Sequence, residues 1–394
     1  MDVLKVIGRK NELFIDDINH YDQFLIDYLS QKRVLIIGAA GTIGHALAKE
    51  VFSRSPKCLH LVDISENNLV EVVRDIRSDD GYLVEDFKTF VCDVGSLDFE
   101  FLVQMHGPYD LVYNFSALKH VRSEKDVFSL KRMINTNIIN SLKINELCMQ
   151  MNTKKYFCVS TDKAANPVNM MGASKLIMEK LLLSTNNYEN ISFARFANVA
   201  FSDGSLLHGF KQRVFNKQPI SAPSDIKRYF ISPKEAGTLC LFASIYGQNG
   251  DIYIPSDNCK LELTSFTSIA ERFLKSLNYV PHICNSENEA RHYFKKMRKK
   301  ETWPCYFFES DTTGEKPYEE FYTSKEILNK DVFKDLWVIK KDKEKKLSSK
   351  DFIYEFNRIT KILNHNKEHF IKLFQSVLPD FIHEDTKKYL DDRM

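Results

Sequence analysis

The sequence has no run of apolar residues near the roughly 20 that a membrane-crossing helix requires, although 43% of its 394 residues are hydrophobic. It also lacks a strong excess of charge, because 55 basic residues nearly balance 53 acidic ones and leave a net charge of +2. These absences argue against a membrane-spanning protein and against a broad nucleic-acid-binding surface. We therefore expect neither a membrane nor a nucleic acid among its partners.

The eight cysteines form no Cys-x-x-Cys pair, and no histidine spacing suits zinc. We expect reduced, mostly packed thiols and no metal site. The first segment carries Asp2, Lys5 and Arg9, where an export signal would need an apolar core. The sequence thus predicts a cytoplasmic location.

Short apolar runs alternate with helical patterns through the first two hundred residues. This alternation predicts an α/β fold built on a Rossmann-type, doubly wound parallel sheet. The predicted strands are Arg33–Ile37, Leu59–Asp63, Thr89–Cys92, Leu111–Phe115, Tyr156–Val159 and Ile191–Phe196.

Changes in this rhythm predict four regions of the chain. Residues 1–31 read as a helical lead-in, and residues 32–200 as a dinucleotide-binding domain. Residues 201–340 read as a smaller, mixed substrate-binding region. Residues 341–394 read as a helical C-terminal extension, whose role in assembly or in covering a site stays open.

Three glycines stand between the first predicted strand and the helix after it. In Gly38-x-x-Gly41-x-x-Gly44 the first suits a tight turn, the second lets backbone approach a pyrophosphate, and the third lets helix and strand pack closely. Amides at the helix start, at Thr42 and Ile43, would face phosphate oxygens. This context predicts a dinucleotide site.

Two aspartates follow the next two predicted strands. Asp63, at the end of the second strand, can accept hydrogen bonds from ribose hydroxyls and would repel a 2′-phosphate, which favours NAD over NADP. Its alternative role is a helix N-cap. Asp93 can contact the adenine amino group, and its alternative role is a turn-forming aspartate.

The Gly-x-x-Gly-x-x-Gly spacing resembles that of extended short-chain dehydrogenase/reductases. The segments Asn114–Val121, Thr136–Ile138, Ser160–Pro167 and Gly314–Lys316 further resemble their polysaccharide-biosynthesis branch, the nucleotide-activated N-acetylglucosamine 4,6-dehydratases. The resemblance implies that three more residues line the site: Ala117 and Asn137 near the dinucleotide and Lys119 near the sugar.

The sequence departs from the superfamily at the usual Tyr-x-x-x-Lys motif. Met171 stands in place of the tyrosine, with Lys175 four residues later on the same helix face. A thioether cannot act as a base at neutral pH, so either the chain only binds a dinucleotide or other residues supply the base.

The segment Thr161-Asp162-Lys163 favours the second explanation. Together with Ser160 it directly follows the predicted strand Tyr156–Val159 and so lies at the carboxyl end of the sheet, where open α/β folds place their active sites. Taken singly, each residue could instead be a turn cap or a surface charge. The sequence resembles the C5-retaining subgroup of the dehydratases, which also pairs methionine with Thr-Asp-Lys.

That resemblance implies a catalytic cycle. Thr161, helped by Asp162 and Lys175, removes the C4 hydroxyl proton as hydride passes to NAD; Lys163 then takes the C5 proton. A protonated Asp162 donates to the departing C6 hydroxyl, and the hydride returns to C6. The product is a 4-keto-6-deoxy sugar nucleotide.

The resemblance also implies substrate-binding residues. The four that it implies are Asn198 beside the diphosphate, Ser205, Arg228 gripping the diphosphate, and Lys316 near the nucleotide. Arg228 has an alternative role in a surface ion pair. The sequence does not choose between UDP and GDP, and we expect a homo-oligomer.

The expected function is thus an NAD-dependent 4,6-dehydratase of a nucleotide-activated N-acetylglucosamine. Two alternatives remain open. One is a nucleotide-sugar 4-epimerase, which normally needs the tyrosine. The other is a noncatalytic NAD-binding regulator, which Met171 favours and Lys175 disfavours.

Overall fold

A computed structural model describes residues 1–184, 190–296, 301–311, 316, 318–341, 347–363, 365–385 and 388. Gly314, Glu315 and most of the polar C-terminal tail lie outside the described residues. Among the helices described, none is both long and apolar enough to cross a membrane.

Strands and helices alternate from residue 33 onward. The strands of the described chain are β1 (Arg33–Ile37), β2 (Cys58–Asp63), β3 (Asp86–Val91), β4 (Leu111–Asn114), β5 (Lys155–Val159), β6 (Ile191–Ala194), β7 (Asn198–Val199), β8 (Ile220–Pro223), β9 (Lys227–Arg228), β10 (Phe230–Ile231), β11 (Asp251–Pro255), β12 (Thr264–Ser265), β13 (Val280–Cys284), β14 (Thr302–Phe308), β15 (Ile327–Asn329) and β16 (Leu336–Lys340). The helices are α1 (Val3–Ile7), α2 (Ile15–Leu29), α3 (Thr42–Phe52), α4 (Glu66–Asp80), α5 (Leu97–His106), α6 (Val127–Ile134), α7 (Asn140–Gln150), α8 (Met170–Ser184), α9 (Leu206–Phe215), α10 (Pro233–Tyr246), α11 (Phe266–Ser276), α12 (Glu287–Lys296), α13 (Ser349–Thr360) and α14 (Lys367–Val377).

The main sheet has the order β15-β16-β11-β6-β5-β4-β1-β2-β3. From β3 to β11 each neighbouring pair is parallel, and β16 and β15 then add as antiparallel strands. The predicted doubly wound α/β fold is therefore confirmed. Strand order reverses between β1 and β4, which opens a crevice at their carboxyl ends.

Both faces of the sheet are apolar because helices cover both. Along β1, Leu35 and Ile37 belong to one buried cluster, whereas Val34 and Ile36 belong to the cluster on the opposite face. This period of two is what a pleated strand produces, and apolar residues on both faces mark a central parallel strand. The result is a rigid platform under the crevice.

Two predicted elements differ from those observed. The third strand begins three residues earlier than predicted, at Asp86, because β3 is an edge strand whose partly exposed positions accept polar residues. The single helix predicted from about Ser129 to Met151 is α6 and α7 joined by a π-helical turn, Asn135–Ile139. Such turns are frequent at functional sites.

The main sheet contains strands from both sides of the domain boundary predicted at residue 200. Strands β11, β15 and β16 join it, while β13, β14 and β8 form a separate three-stranded parallel sheet that packs with α9 and α11. The assignment of residues 201–340 to substrate binding stays a prediction, but this stretch is not one separate spatial unit.

Both terminal regions pack on the rest of the chain. Leu25 and Leu29 of α2 are fully buried in the core on one face of the sheet. At the other end, Phe356 and Phe374 of α13 and α14 are buried in the cluster that contains α8. The C-terminal extension therefore supports the helix that carries Met171.

Candidate active site

The glycine loop has the geometry that its spacing predicts. Gly38 has φ of +72°, and a Cβ there would lie 2.7 Å from the backbone carbon of Phe115. A Cβ on Gly44 would lie 2.3 Å from the Gly38 carbonyl oxygen, so this glycine lets α3 pack against the loop. At Gly41 a Cβ would meet only the Gly38 oxygen, at 3.5 Å, so the space before it is open. The loop thus leaves room for a group at the start of α3.

Two cavities meet at this loop and share Gly38, Gly41 and Ala117 in their walls. The larger encloses about 490 Å³ and the smaller about 220 Å³. Most predicted site residues line the larger cavity, namely Gly38, Gly41, Thr42, Ile43, Gly44, Ala117, Lys119, Thr161, Asp162, Lys163, Met171, Lys175, Asn198, Ser205 and Arg228. The fold therefore brings residues from distant parts of the chain, between the end of β1 and β9, into the wall of one cavity.

Asp63 lines the smaller cavity and braces the glycine loop. One carboxylate oxygen accepts a hydrogen bond from the Ala40 amide at 2.9 Å, and the other accepts from the Ser65 amide at 2.9 Å. Ser65, not Asp63, is the N-cap of α4. The capping role is thus excluded for Asp63.

Asp93 forms the predicted turn at the wall of the smaller cavity, and its contact with an adenine stays a prediction. It lines the smaller cavity, and its Oδ1 accepts from the Gly95 amide at 2.9 Å, as a turn-forming aspartate does. Its Oδ2 lies 3.2 Å from the Arg132 guanidinium. The turn fixes the carboxylate at the cavity wall.

Asn137, predicted to lie near the dinucleotide, is fully buried behind the wall and lines neither cavity. Its side chain accepts from the Leu118 amide at 2.9 Å and donates to the Leu118 carbonyl at 3.1 Å and to Ser174 Oγ at 2.9 Å. These bonds clamp the loop that carries Ala117 and Lys119 to α8. Asn137 is therefore a positioning residue in this structure.

Thr161, Asp162 and Lys163 lie one residue beyond the end of β5, at the carboxyl end of the sheet. Thr161 Oγ1 donates to Asp162 Oδ1 at 2.9 Å. Asp162 Oδ1 also accepts a hydrogen bond from the Lys163 amide at 2.9 Å and lies 3.1 Å from Lys163 Nζ. The three side chains thus form one hydrogen-bonded unit with Asp162 at its centre.

Ser160, directly before this unit, anchors it to a buried ion pair. Its hydroxyl donates to Glu179 Oε1 at 2.5 Å, and Glu179 accepts from the Arg195 guanidinium at 2.9 and 2.6 Å. Both charged side chains are fully buried. Because each charge has its partner, this pair can hold the end of β5 rigidly beneath the cavity.

Lys175 and Met171 occupy one face of α8. Lys175 Nζ donates to the Val159 carbonyl at 3.0 Å, and burial lowers the pKa of this lysine. Lys175 is 4% exposed and therefore does not face solvent, as a lysine on a helix usually does. Met171 lines the same cavity, and its amide donates to the buried Glu124 carboxylate at 3.1 Å.

Two basic side chains, Lys119 and Arg228, also line the larger cavity. Arg228 is 4% exposed, which excludes the surface role considered for it. Burial lowers the pKa of Lys119. Asn198 and Arg228 reach the cavity from the short strands β7 and β9, and Ser205 caps α9 by accepting from the His208 amide at 3.2 Å.

Lys316 lies outside the cavity. Its Nζ donates to the Asn166 carbonyl and is 4.0 Å from Glu319 Oε2. Lys316 is therefore not placed to contact a nucleotide in this cavity, and the predicted contact has no support in this structure. The lysine instead ties its segment to the loop after Lys163.

Glu319 lines the larger cavity and was not expected from the sequence. It is 5% exposed, and its Oε1 lies 4.0 Å from Lys163 Nζ. Burial raises the pKa of this carboxyl. The only signal in the sequence is the acidic pair Glu319-Glu320, and nothing there says which of the two faces inward.

Apolar side chains form another part of the wall that sequence reasoning did not identify. Phe115, Phe196, Phe230 and Phe266 line the larger cavity together with the polar residues above. A mostly apolar pocket with a few convergent polar groups is the usual form of a small-molecule site.

Comparison with known proteins places the chain in a family. A family model described as polysaccharide biosynthesis protein matches residues 34–341. A Methanocaldococcus jannaschii protein described as an uncharacterized membrane protein is 30% identical over 80% of this chain and 88% of its own length.

Two further relatives carry enzyme names. A UDP-N-acetylglucosamine 4,6-dehydratase (inverting) of Campylobacter jejuni is 28% identical over 63% of this chain and 72% of that protein. A UDP-glucose 4-epimerase of Rickettsia massiliae is 28% identical over 79% and 83%. The chain spans only 53% of a Staphylococcus aureus capsular polysaccharide biosynthesis protein that it also matches.

Solved structures share the fold. Pen from Bacillus thuringiensis has a TM-score of 0.64 at 20% identity, covering 84% of this chain and 98% of that one. DesIV, a dTDP-glucose 4,6-dehydratase from Streptomyces venezuelae with NAD bound, has a TM-score of 0.54 at 14% identity, covering 74% and 89%. The extent of the family match decides the assignment: the chain belongs to the polysaccharide biosynthesis protein family.

Proposed function

We propose that the chain is an NAD-dependent 4,6-dehydratase that acts on a nucleotide-activated N-acetylglucosamine. One observation carries the proposal. Thr161, Asp162, Lys163 and Lys175 line a single cavity with the glycine loop, and Met171 stands where a tyrosine would otherwise be. The Campylobacter relative with this activity supports the substrate class.

The residues around the smaller cavity fit a dinucleotide. Gly41 leaves open space at the start of α3, where backbone amides favour phosphate oxygens. Asp63 retains acceptor capacity beside its two backbone bonds, which suits ribose hydroxyls and favours NAD over NADP. When bound, NAD would accept a hydride from C4 of the sugar and return it to C6.

The chain's own residues handle the protons. Thr161 Oγ1 can accept the C4 hydroxyl proton and pass it to Asp162 Oδ1, to which it is already hydrogen-bonded at 2.9 Å. Lys175, held by the Val159 carbonyl, lines the same cavity and would orient hydroxyl groups bound there. Lys163 is the amine available to take the C5 proton.

The cationic part of the cavity suits a diphosphate. Arg228 and Lys119 line the same cavity as Asn198 and Ser205, and a guanidinium can bind phosphate oxygens in a bidentate manner. The apolar wall at Phe230 and Phe266 excludes water from the sugar. Neither feature distinguishes UDP from GDP.

A nucleotide-sugar 4-epimerase is the second candidate, because the Rickettsia relatives carry that name. An epimerase needs a base at C4 but none at C5, so Lys163 and Asp162 would have no task in it. Met171 also removes the tyrosine base that such enzymes use. These residues favour the dehydratase.

The test is to incubate the purified full chain with UDP- and GDP-N-acetylglucosamine and with UDP-glucose. Formation of a 4-keto-6-deoxy sugar, followed by its alkaline absorbance and by the C6 methyl signal in NMR, is the expected result. NMR of the product also reads the configuration at C5, which tests the C5-retaining subgroup. A 4-epimer as the sole product would establish the second candidate. No conversion of any substrate would contradict both.

A further inference from the structure

Two polar side chains in the wall of the smaller cavity have no part in the proposed function. Thr136 is 7% exposed and Asn140 is 3% exposed, and both line this cavity. The buried hydroxyl oxygen of Thr136 has no hydrogen-bond partner among the described residues. A buried hydroxyl without a partner is costly in the folded state, so its presence at a cavity wall calls for a ligand.

The two side chains lie close to Asp93. Thr136 is part of the π-helical turn Asn135–Ile139, and Asn140 is the first residue of α7, four residues later and on the same helix face. A Cβ on Gly95 would lie 3.2 Å from Asn140 Oδ1, 3.2 Å from Asn140 Nδ2 and 3.3 Å from Asp93 Oδ1. The carboxamide and the carboxylate therefore flank one glycine at the same part of the cavity wall.

This part of the cavity corresponds to one end of a dinucleotide. The glycine loop, which both cavities share, suits the pyrophosphate. The nicotinamide half must reach Lys175 in the larger cavity, so the adenosine half enters the smaller one. Asp63 follows β2 and is placed for the ribose, and the base then lies toward β3, where Asp93 and Asn140 line the wall.

Resting on the dinucleotide part of the proposed function, we infer that Asn140 and Thr136 bind the adenine base and select it over a 6-oxo purine. A carboxamide offers one acceptor and two donors. It matches the 6-amino group and N7 of adenine, which is the pairing that asparagine makes with this base in DNA. The Thr136 hydroxyl can donate to another ring nitrogen and gains the partner that it lacks in the empty cavity.

Asp93 supplies a second acceptor for the same amino group. Its Oδ1 accepts from the Gly95 amide at 2.9 Å, and its Oδ2 lies 3.2 Å from the Arg132 guanidinium. Each carboxylate oxygen can accept a further hydrogen bond. A base with an oxygen at C6 would place an acceptor against Asp93 and against the carboxamide oxygen of Asn140, so both residues oppose it.

The first test compares two dinucleotides on the unaltered chain. Nicotinamide hypoxanthine dinucleotide carries a 6-oxo group where NAD carries the 6-amino group. Titration calorimetry of the purified full chain, freed of bound dinucleotide, should show tighter binding of NAD by roughly 5- to 150-fold, the range for one well-made bidentate pair. Equal affinities would overturn the inference.

The second test removes the carboxamide, with Asn140→Leu as the variant and Asn135→Leu as its matched control. Asn135 lies on the same turn, is half-buried and lines neither cavity. Asn140→Leu should weaken NAD binding by about tenfold and binding of the hypoxanthine dinucleotide much less. The control should bind both as wild type does. Equal affinities of the two variants for both dinucleotides would leave the selection to Asp93 and remove Asn140 from it.

The third test separates binding from a structural role of Thr136. Thr136→Val removes the hydroxyl and keeps the shape of the side chain, so NAD affinity should fall by about 2- to 12-fold. The melting temperature of the dinucleotide-free protein should not fall, because the hydroxyl has no partner there to lose. A lower melting temperature with unchanged NAD affinity would assign the hydroxyl to folding and contradict the inference. If Asn140→Leu does not fold, this variant and the unaltered chain still decide.

Failure of this inference is distinguishable from failure of the proposed function. Conversion of a nucleotide sugar by a chain that binds both dinucleotides equally would contradict the inference alone. Selective binding of NAD without conversion of any nucleotide sugar would contradict the proposed function and support the base contacts. Absence of NAD binding would contradict both.

Discussion

The two ends of the parallel strands hold similar side chains in different circumstances. At the amino end, Cys58, His60 and Asp86 place their ligand atoms within 4.8 Å of one another. His60 Nδ1 lies 2.7 Å from the Tyr109 hydroxyl, and its Nε2 lies 3.1 Å from Asp86. Lys88 lies 2.9 Å from Asp86, so the carboxylate already has a cation.

The side chains of Cys58, His60 and Asp86 are chemically unreactive in this environment. Burial raises the pKa of the Cys58 thiol to about 12 and lowers the pKa of His60, so the first stays a thiol and the second stays neutral. Each member has its partner within the group. Such a network stabilises the start of the strands rather than binding a ligand.

At the carboxyl end, Asp162, Lys163 and Glu319 line an open cavity of about 490 Å³. Lys163 Nζ lies 3.1 Å from the Asp162 carboxylate and 4.0 Å from that of Glu319. The difference shows that residue type alone does not identify a site. Convergence of such side chains on an open cavity does.

The largest expected effect is a loss of activity at the carboxyl end of the strands, without a matching loss at the amino end. Lys163→Ala should reduce water loss by about 10²- to 10⁴-fold, because the C5 proton then has no base. Turnover of a nucleotide-activated N-acetylglucosamine measures this effect. Lys57→Ala, an exposed lysine at the amino end, is the control and should keep full activity. Equal rates for both variants would remove Lys163 from the mechanism.

The second prediction concerns the glycine loop. Gly44→Ala should destabilise the fold by roughly 1–3 kcal/mol, because its Cβ would lie 2.3 Å from a backbone oxygen. Gly41→Ala should change the free energy of unfolding by only about 0.5 kcal/mol, since its Cβ has room. It should nevertheless weaken NAD binding, measured by titration calorimetry. Unchanged NAD affinity in folded Gly41→Ala would argue against a pyrophosphate at this glycine.

The third prediction concerns the amino end. His60→Leu should lower the free energy of unfolding by about 1–3 kcal/mol at pH 8, because Tyr109 and Asp86 lose their partner. Since burial lowers the pKa of His60, the unfolded chain binds a proton that the native chain does not as pH falls below about 6.5. The wild-type protein therefore loses stability in this acidic range. The difference in the free energy of unfolding between wild type and His60→Leu should become smaller there. Denaturant unfolding at several pH values measures it. Turnover should not change, and a large loss of activity would mean that this end serves the site.

The smallest expected effect tests the C-terminal extension. His383 Nε2 lies 2.7 Å from Glu124, whose other oxygen accepts from the Met171 amide. His383→Ala should lower kcat by about tenfold or less, because the start of α8 loses a fixed support. Ile382→Ala, at a neighbouring side chain that is 75% exposed, is the control. Equal kcat for both variants would mean that the C-terminal extension contributes to packing alone and not to the positioning of the active site.

Much of the cofactor loop and the fold was open to prediction from sequence. Alternating apolar runs predicted the strands, and the first strand, Arg33–Ile37, has the predicted bounds. Glycine spacing predicted the turn at Gly38 and the close packing at Gly44, because both depend on local backbone geometry. The motif resemblance is confirmed at the level of the family, whereas the dehydratase subgroup stays a prediction.

Other features were beyond the sequence for a physical reason. Asn137 and Lys316 carry the residue types of a site, yet the fold turns the first into a clamp on Leu118 and leaves the second outside the cavity. Strand β11 joins the main sheet from beyond the predicted boundary because it pairs with β6. These outcomes depend on contacts between segments that are distant in the chain.

The sequence by itself determined the strand, glycine turn and helix at Gly38–Gly44 and the polar segment after β5, because local patterns of apolar residues and backbone freedom specify them. Only the tertiary structure decided which chemical groups meet in an open cavity. Glu319 lies 4.0 Å from Lys163, although 156 residues separate the two in the chain. The amino-end group at His60 shows the converse, since there the side chains pair with one another and neither of the two cavities described above includes them.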